Sequence, residues 1–138
     1  MKNKIHNINV VAKEKLPSPK ALKETLPLTN KARKTVLSKR KELMNILDGK
    51  DSRLVVVVGP CSIHDTNLAK DYALRLKDLS KAVEDEFLVL MRVYFEKPRT
   101  TTGWKGLIND PNIDDTFQID KGIHIARSLL IDLNEMGL

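Results

Sequence analysis

Two short stretches of this 138-residue chain concentrate the residue types able to do chemistry. The first, Gly59-Pro60-Cys61-Ser62-Ile63-His64-Asp65, sets a thiol, an imidazole and a carboxylate close together after an apolar run. Sulfur, nitrogen and oxygen donors at such spacing suit a divalent metal. The same Cys61 could instead be a nucleophile, given a nearby base, or a small buried apolar residue. The second stretch begins with Arg92 and continues as Glu96-Lys97-Pro98-Arg99-Thr100-Thr101-Thr102-Gly103-Trp104-Lys105-Gly106. Guanidinium forks grip phosphate through paired hydrogen bonds, ammonium groups add point charge, and threonine hydroxyls fill the remaining acceptor positions. The alternative is a solvated basic loop with Arg92 in an ion pair.

The elements that must carry these stretches follow from periodicity. Leu54 to Val58 is a continuous β-branched run stopped by Gly59-Pro60, which predicts a strand buried on both faces. Asp65 or Thr66 then starts a helix with Leu68, Ala69, Tyr72, Leu76, Leu79 and Val83 on one stripe. Phe87 to Phe95 reads as a second strand, and Ile119, Ile123, Ala126, Leu130 and Leu133 mark a last helix ending at Gly137. The order β, α, β, α implies parallel strands with crossover helices, as in doubly wound sheets and (β/α)₈ barrels. In such folds ligands sit at the C-terminal ends of the strands. Paired strands lie about 4.8 Å apart, so neighbouring strands would bring Cys61 to the cationic loop. That combination would place a metal beside a phosphorylated anion.

Upstream, Ser18-Pro19 and Thr29 are helix starts, and Ala32, Val36, Leu43, Ile46 and Leu47 give the longer helix an apolar side terminated near Gly49. Residues 1–50 form a helical arm, with Ile5 to Val11 expected to pair as an edge strand. Residues 51–138 form the α/β part. Two strands and two helices cannot cover so apolar a strand on both faces, which leads us to expect a truncated α/β domain. The stretch from Leu107 to Asp120 has no regular period and is long for a connection, as functional or mobile loops are. His6 and His124 lack ligands at helix spacing and read as structural or exposed.

Composition removes several classes. Hydrophobic content of 41% and charged content of 30% match ordinary globular chains. The longest apolar run is far short of a bilayer span, no signal-like segment opens the chain, and one cysteine forms no internal disulfide; a cytoplasmic protein without membrane contact is expected. Thirteen of the 24 Lys and Arg fall in residues 1–50, against four of the 18 Asp and Glu. That arm has no aromatic residue to stack on bases, and its charges are scattered, so a solvated surface is expected and no nucleic-acid partner.

The residues Val58 to Asp65, Met91 to Thr101 and Gly103 to Pro111 together resemble the type I 3-deoxy-arabino-heptulosonate 7-phosphate (DAHP) synthases, also called phospho-2-dehydro-3-deoxyheptonate aldolases. The resemblance is strong from Arg53 to Leu138 and looser over the helical arm, and family members are more than twice as long. It implies the N-terminal part of a (β/α)₈ TIM barrel, residues 51–138 being its first two β/α units, after a helical extension. It implies a transferase that condenses phosphoenolpyruvate with erythrose 4-phosphate, releases phosphate and opens the shikimate route to aromatic amino acids. By matching position, Cys61 looks like a ligand of a divalent metal such as Mn, Fe, Co or Zn. Arg92 and Lys97 look like phosphoenolpyruvate contacts, Lys97 also being catalytic, and Lys97, Pro98, Arg99 and Thr100 like the wall around erythrose 4-phosphate.

The family's remaining metal ligands, a His, a Glu and an Asp, would lie beyond Leu138, so these residues alone are expected to be inactive. Residues 1–50 match in position an arm used for homo-oligomerisation and for control by an aromatic amino acid, with His6 to Asn9 leaning toward tyrosine-sensitive forms. The competing reading is a non-catalytic remnant or regulatory and oligomerisation module, and a basic nucleic-acid binder is the third.

Overall fold

The computed structural model describes Val10, residues 13–99 and residues 101–138. The expected edge strand over Ile5 to Val11, Val10 excepted, and His6 and Thr100 lie outside these described residues. The elements run α1 (Pro19–Thr25), α2 (Asn30–Leu47), β1 (Leu54–Val58), α3 (Thr66–Ala82), β2 (Phe87–Met91) and α4 (Ile119–Met136). Three of the four helix starts have a side-chain cap, and α4 starts at Ile119 without one. Ser18 Oγ accepts the Ala21 amide, Thr29 Oγ1 accepts the Ala32 amide, and the Asp65 carboxylate accepts those of Asn67 and Leu68. At its other end α4 is closed by Gly137 in the left-handed conformation at φ 98°.

β1 and β2 pair in parallel, Leu54 opposite Phe87 through Val58 opposite Met91. Among the described residues this two-stranded sheet is the only one. α3 and α4 cover one face. Ala69, Ala73, Leu129 and Leu133 from the helices meet Ile63 and Leu107 from the loops, with Met91, Val93 and Phe95 against them. The small residues on α3 bring its backbone close to the sheet, and Gly122 lets α4 approach the loop behind it. A Cβ on Gly122 would lie 2.1 Å from the Ile108 carbonyl oxygen.

Several expectations need correction. β1 is not buried on both faces: Leu54 is 64% and Val57 62% exposed although they point to opposite sides of the strand, β1 being an edge with one strand neighbour. β2 stops at Met91 instead of Phe95, since its partner ends at Val58 and the ladder bonds end with it. On α4 the buried stripe is Gly122, Ala126, Leu129 and Leu133; Leu130 is 41% exposed, the apolar face being rotated by one residue. On α3 the buried set is Ala69, Ala73 and Leu76, while Leu68 and Leu79 are exposed.

The helical arm is packed onto the α/β part. α2 lies against α4, and Arg127 Nε of α4 donates to the Leu26 carbonyl at the end of α1, at 2.8 Å. Leu47, expected on the apolar side of α2, is exposed. Arg53 anchors the entry to β1 through Asp51 and Glu42, at 2.8 and 3.1 Å. Among the described residues no helix is long and apolar enough to cross a membrane.

The rotation of α4 gives a direct comparison of neighbouring leucines. Leu129→Ala removes a side chain only 1% exposed and is expected to cost about 3 kcal/mol in a denaturant melt, whereas Leu130→Ala should cost less than about 1 kcal/mol.

Candidate functional site

The turns after β1 and β2 meet because the chain has no side chain at Gly59. The Arg92 amide donates to the Val58 carbonyl at 2.8 Å, extending the ladder one residue past the strands. A Cβ on Gly59 would sit 2.2 Å from the Arg92 carbonyl oxygen, well inside contact distance. The closeness is then used by the Arg92 side chain, whose Nη2 donates to the carbonyls of Gly59 at 3.1 Å and Pro60 at 3.0 Å. Its guanidinium carbon lies 4.9 Å from the centre of the Tyr94 ring. One further bond joins the turns, from the Ile63 amide to the Tyr94 carbonyl at 2.7 Å.

Cys61 is exposed, which removes the reading of it as a buried apolar residue. Lys97 Nζ lies 3.3 Å from its sulfur, so the thiol and the cationic loop share one rim as the spacing suggested. Arg92 is bound into the same turn and is not in an ion pair among the described residues. Pro98 and Arg99 lie farther along the loop, Arg99 exposed and set against Gly103. Thr100 is outside the described residues. His64 is exposed, and Asp65 is occupied as the cap of α3. Among the described residues no three His, Cys, Asp or Glu side chains come together as a metal centre. The donor set present is one thiol, short of the roughly four that a stable divalent site uses, so these residues alone do not fit a complete centre.

The cationic loop is a short hairpin. Glu96 and Gly106 form an antiparallel bridge, the Lys97 amide donates to the Lys105 carbonyl at 2.9 Å, and the Leu107 amide donates to the Phe95 carbonyl at 2.7 Å. Lys105 Nζ straps the tip by donating to the Arg99 carbonyl at 3.1 Å. Gly106, at φ 123°, passes so close to Phe95 that a Cβ would lie 2.1 Å from its carbonyl oxygen. Asn109 Nδ2 donates to Glu96 Oε2, and burial pushes the Glu96 carboxyl above the usual glutamate range, partly offset by that bond.

Behind the hairpin, the aperiodic stretch folds around Asp110, which is 2% exposed. Its carboxylate accepts the amides of Asp114 and Asp115 at 3.4 and 3.2 Å, and its carbonyl accepts Trp104 Nε1 at 2.8 Å. Ile113, Asp115 and Phe117 take positive φ near this turn. Sequence reasoning missed Asp110 and Tyr94. Asn-Asp-Pro is a turn signal that marks the former, but nothing in the sequence marks the latter. His124 bonds the Asp120 carbonyl on its own helix at 2.9 Å, in keeping with a structural or exposed residue.

The profile of the DAHP synthetase I family matches residues 25–136. The chain is 58% identical over 126 residues to the Phe-sensitive phospho-2-dehydro-3-deoxyheptonate aldolase of Escherichia coli (strain K12), covering 91% of this chain and 36% of that protein. It is 47% identical over 137 residues to the Tyr-sensitive enzyme of the same strain, covering 99% and 38%. The solved structure of phospho-2-dehydro-3-deoxyheptonate aldolase from Francisella tularensis SCHU S4 superposes with a TM-score of 0.89 at 49% identity, covering 94% of this chain and 38% of that one. The chain therefore spans little more than a third of the length of these relatives.

Gly59→Ala is expected to push the two strand tips apart and to destabilise the chain by about 1–3 kcal/mol, measured by denaturant melts. A second expectation concerns pH. Because the Glu96 carboxyl is raised in the folded chain, the native state holds its proton to higher pH than the unfolded chain does. Stability should therefore fall as pH rises through the folded value, and Glu96→Gln, which has no proton to lose, should lack that decline in melts across the acidic range.

Proposed function

The chain belongs to the DAHP synthetase I family, and we propose from that premise that the whole protein condenses phosphoenolpyruvate with erythrose 4-phosphate and releases inorganic phosphate. The single observation that carries this reading is the shared rim, where Lys97 Nζ reaches the Cys61 sulfur and Arg92 is bound into the turn preceding it. On this reading residues 51–138 are the first two β/α units of a TIM barrel, and residues 1–50 are an arm that serves oligomerisation and regulation by an aromatic amino acid. The Phe- and Tyr-sensitive names of two relatives support that class of effector. The protein would work in the cytoplasm.

The proposed chemistry needs two anions held side by side with one of them oriented for attack. Arg92 and Lys97 would take phosphoenolpyruvate, and the hairpin wall of Lys97, Pro98, Arg99 and Thr100 would take erythrose 4-phosphate. The positive groups offset the repulsion between the substrates, and a hairpin braced at Glu96, Lys105 and Gly106 loses little freedom when it binds. Carbon 3 of phosphoenolpyruvate bonds to the aldehyde carbon, water adds at carbon 2, and phosphate departs. A divalent metal, when bound, supplies polarisation of the aldehyde, and Cys61 would be one of its ligands. Since these residues offer one donor, the 138-residue chain by itself should neither hold metal tightly nor turn over.

In the whole protein, Arg92→Lys keeps the charge but loses the fork, and should raise the KM for phosphoenolpyruvate about tenfold or more. Lys97→Ala should lower kcat about a hundredfold or more, read as phosphate release with both substrates present. Unchanged kinetics in both variants would sink the assignment. Product formed by the purified 138-residue chain would overturn its expected inactivity.

A further inference from the structure

Arg92 is held on more sides than an ordinary surface arginine. Its Nη2 is committed to the carbonyls of Gly59 and Pro60, and Nε is buried without a partner among the described residues. The guanidinium carbon sits over the Tyr94 ring at 4.9 Å. A guanidinium is planar, so carbonyls that fix one nitrogen still leave rotation about the bonds of the long side chain. A ring face set against the guanidinium restricts that tilt, through the negative face of the aromatic quadrupole. Tyr94 is itself anchored, its carbonyl accepting the Ile63 amide at 2.7 Å, while the residue is 55% exposed.

We infer that Tyr94 is a positioning residue for anion binding, setting the plane in which Arg92 presents its remaining donors to phosphoenolpyruvate. This inference rests on the assignment of Arg92 to that substrate. The residue type suits such a role, because an aromatic ring orients a guanidinium plane and an aliphatic side chain of similar bulk does not. A ring at an exposed site contributes little to overall stability, so its loss should be felt in binding.

The test uses the whole protein with phosphoenolpyruvate as the probe, measuring its dissociation constant by calorimetry and the KM of each substrate. Tyr94→Leu and Tyr94→Met should weaken phosphoenolpyruvate binding roughly two- to fivefold and leave the KM for erythrose 4-phosphate unchanged. Tyr94→Phe, which keeps the ring face, should bind like wild type. Two aliphatic variants guard against one of them failing to fold, checked by circular dichroism. Wild-type binding in both aliphatic variants, with Arg92→Lys impaired, would overturn the role of Tyr94 alone. Loss in Tyr94→Phe equal to that in Tyr94→Leu would assign the effect to the hydroxyl and overturn the ring argument. Normal phosphoenolpyruvate binding by Arg92→Lys would remove the assignment of Arg92 first, and this inference with it.

Discussion

Close backbone approach at Gly59 is the constraint on which the site depends. The parallel ladder ends with the Arg92 amide on the Val58 carbonyl, and one residue later the two chains are nearer than any side chain would permit. From that approach follow the bonds from the Arg92 guanidinium to the Gly59 and Pro60 carbonyls, and the meeting of Cys61 with Lys97. A wider gap would part the thiol on the first turn from the cations on the second. The sheet fixes the spacing of the tips, and the glycine lets them use it.

The hairpin after β2 repeats the device at Gly106, whose positive φ and contact with Phe95 close a tight return. Both glycines sit where the loops of the candidate site leave the scaffold. Cations of like charge would otherwise splay such a loop, and the Lys105 strap to the Arg99 carbonyl together with the Glu96 bridge counters that tendency. The loop's polar residues are thus divided between holding the loop and facing outward.

How much of this was legible in the sequence depended on the range of the signal. Helix starts at Ser18, Thr29 and Asp65 and the stop at Gly137 were readable because capping is a local hydrogen bond between near neighbours. The strands and their parallel order followed from apolar runs and from the helix between them. What failed was set by distant partners: the exposure of Leu54 and Val57, the end of β2 at Met91 and the choice of Leu129 over Leu130 all depend on what packs nearby. In the site, Cys61, Arg92 and Lys97 announced themselves by type. Tyr94 did not, because its contact with Arg92 depends on a side-chain direction that the sequence leaves open.

Trp104, the single tryptophan of the chain, donates its indole proton to the Asp110 carbonyl and so ties the hairpin to the turn behind it. Indole emission responds to the polarity around the ring and to its hydrogen bonding. Within these 138 residues no second indole dilutes the signal, so the chain's intrinsic fluorescence is a label-free reporter of whether the cationic loop is docked. Changes in that loop on meeting an anion can therefore be followed optically, separately from any change in the helices.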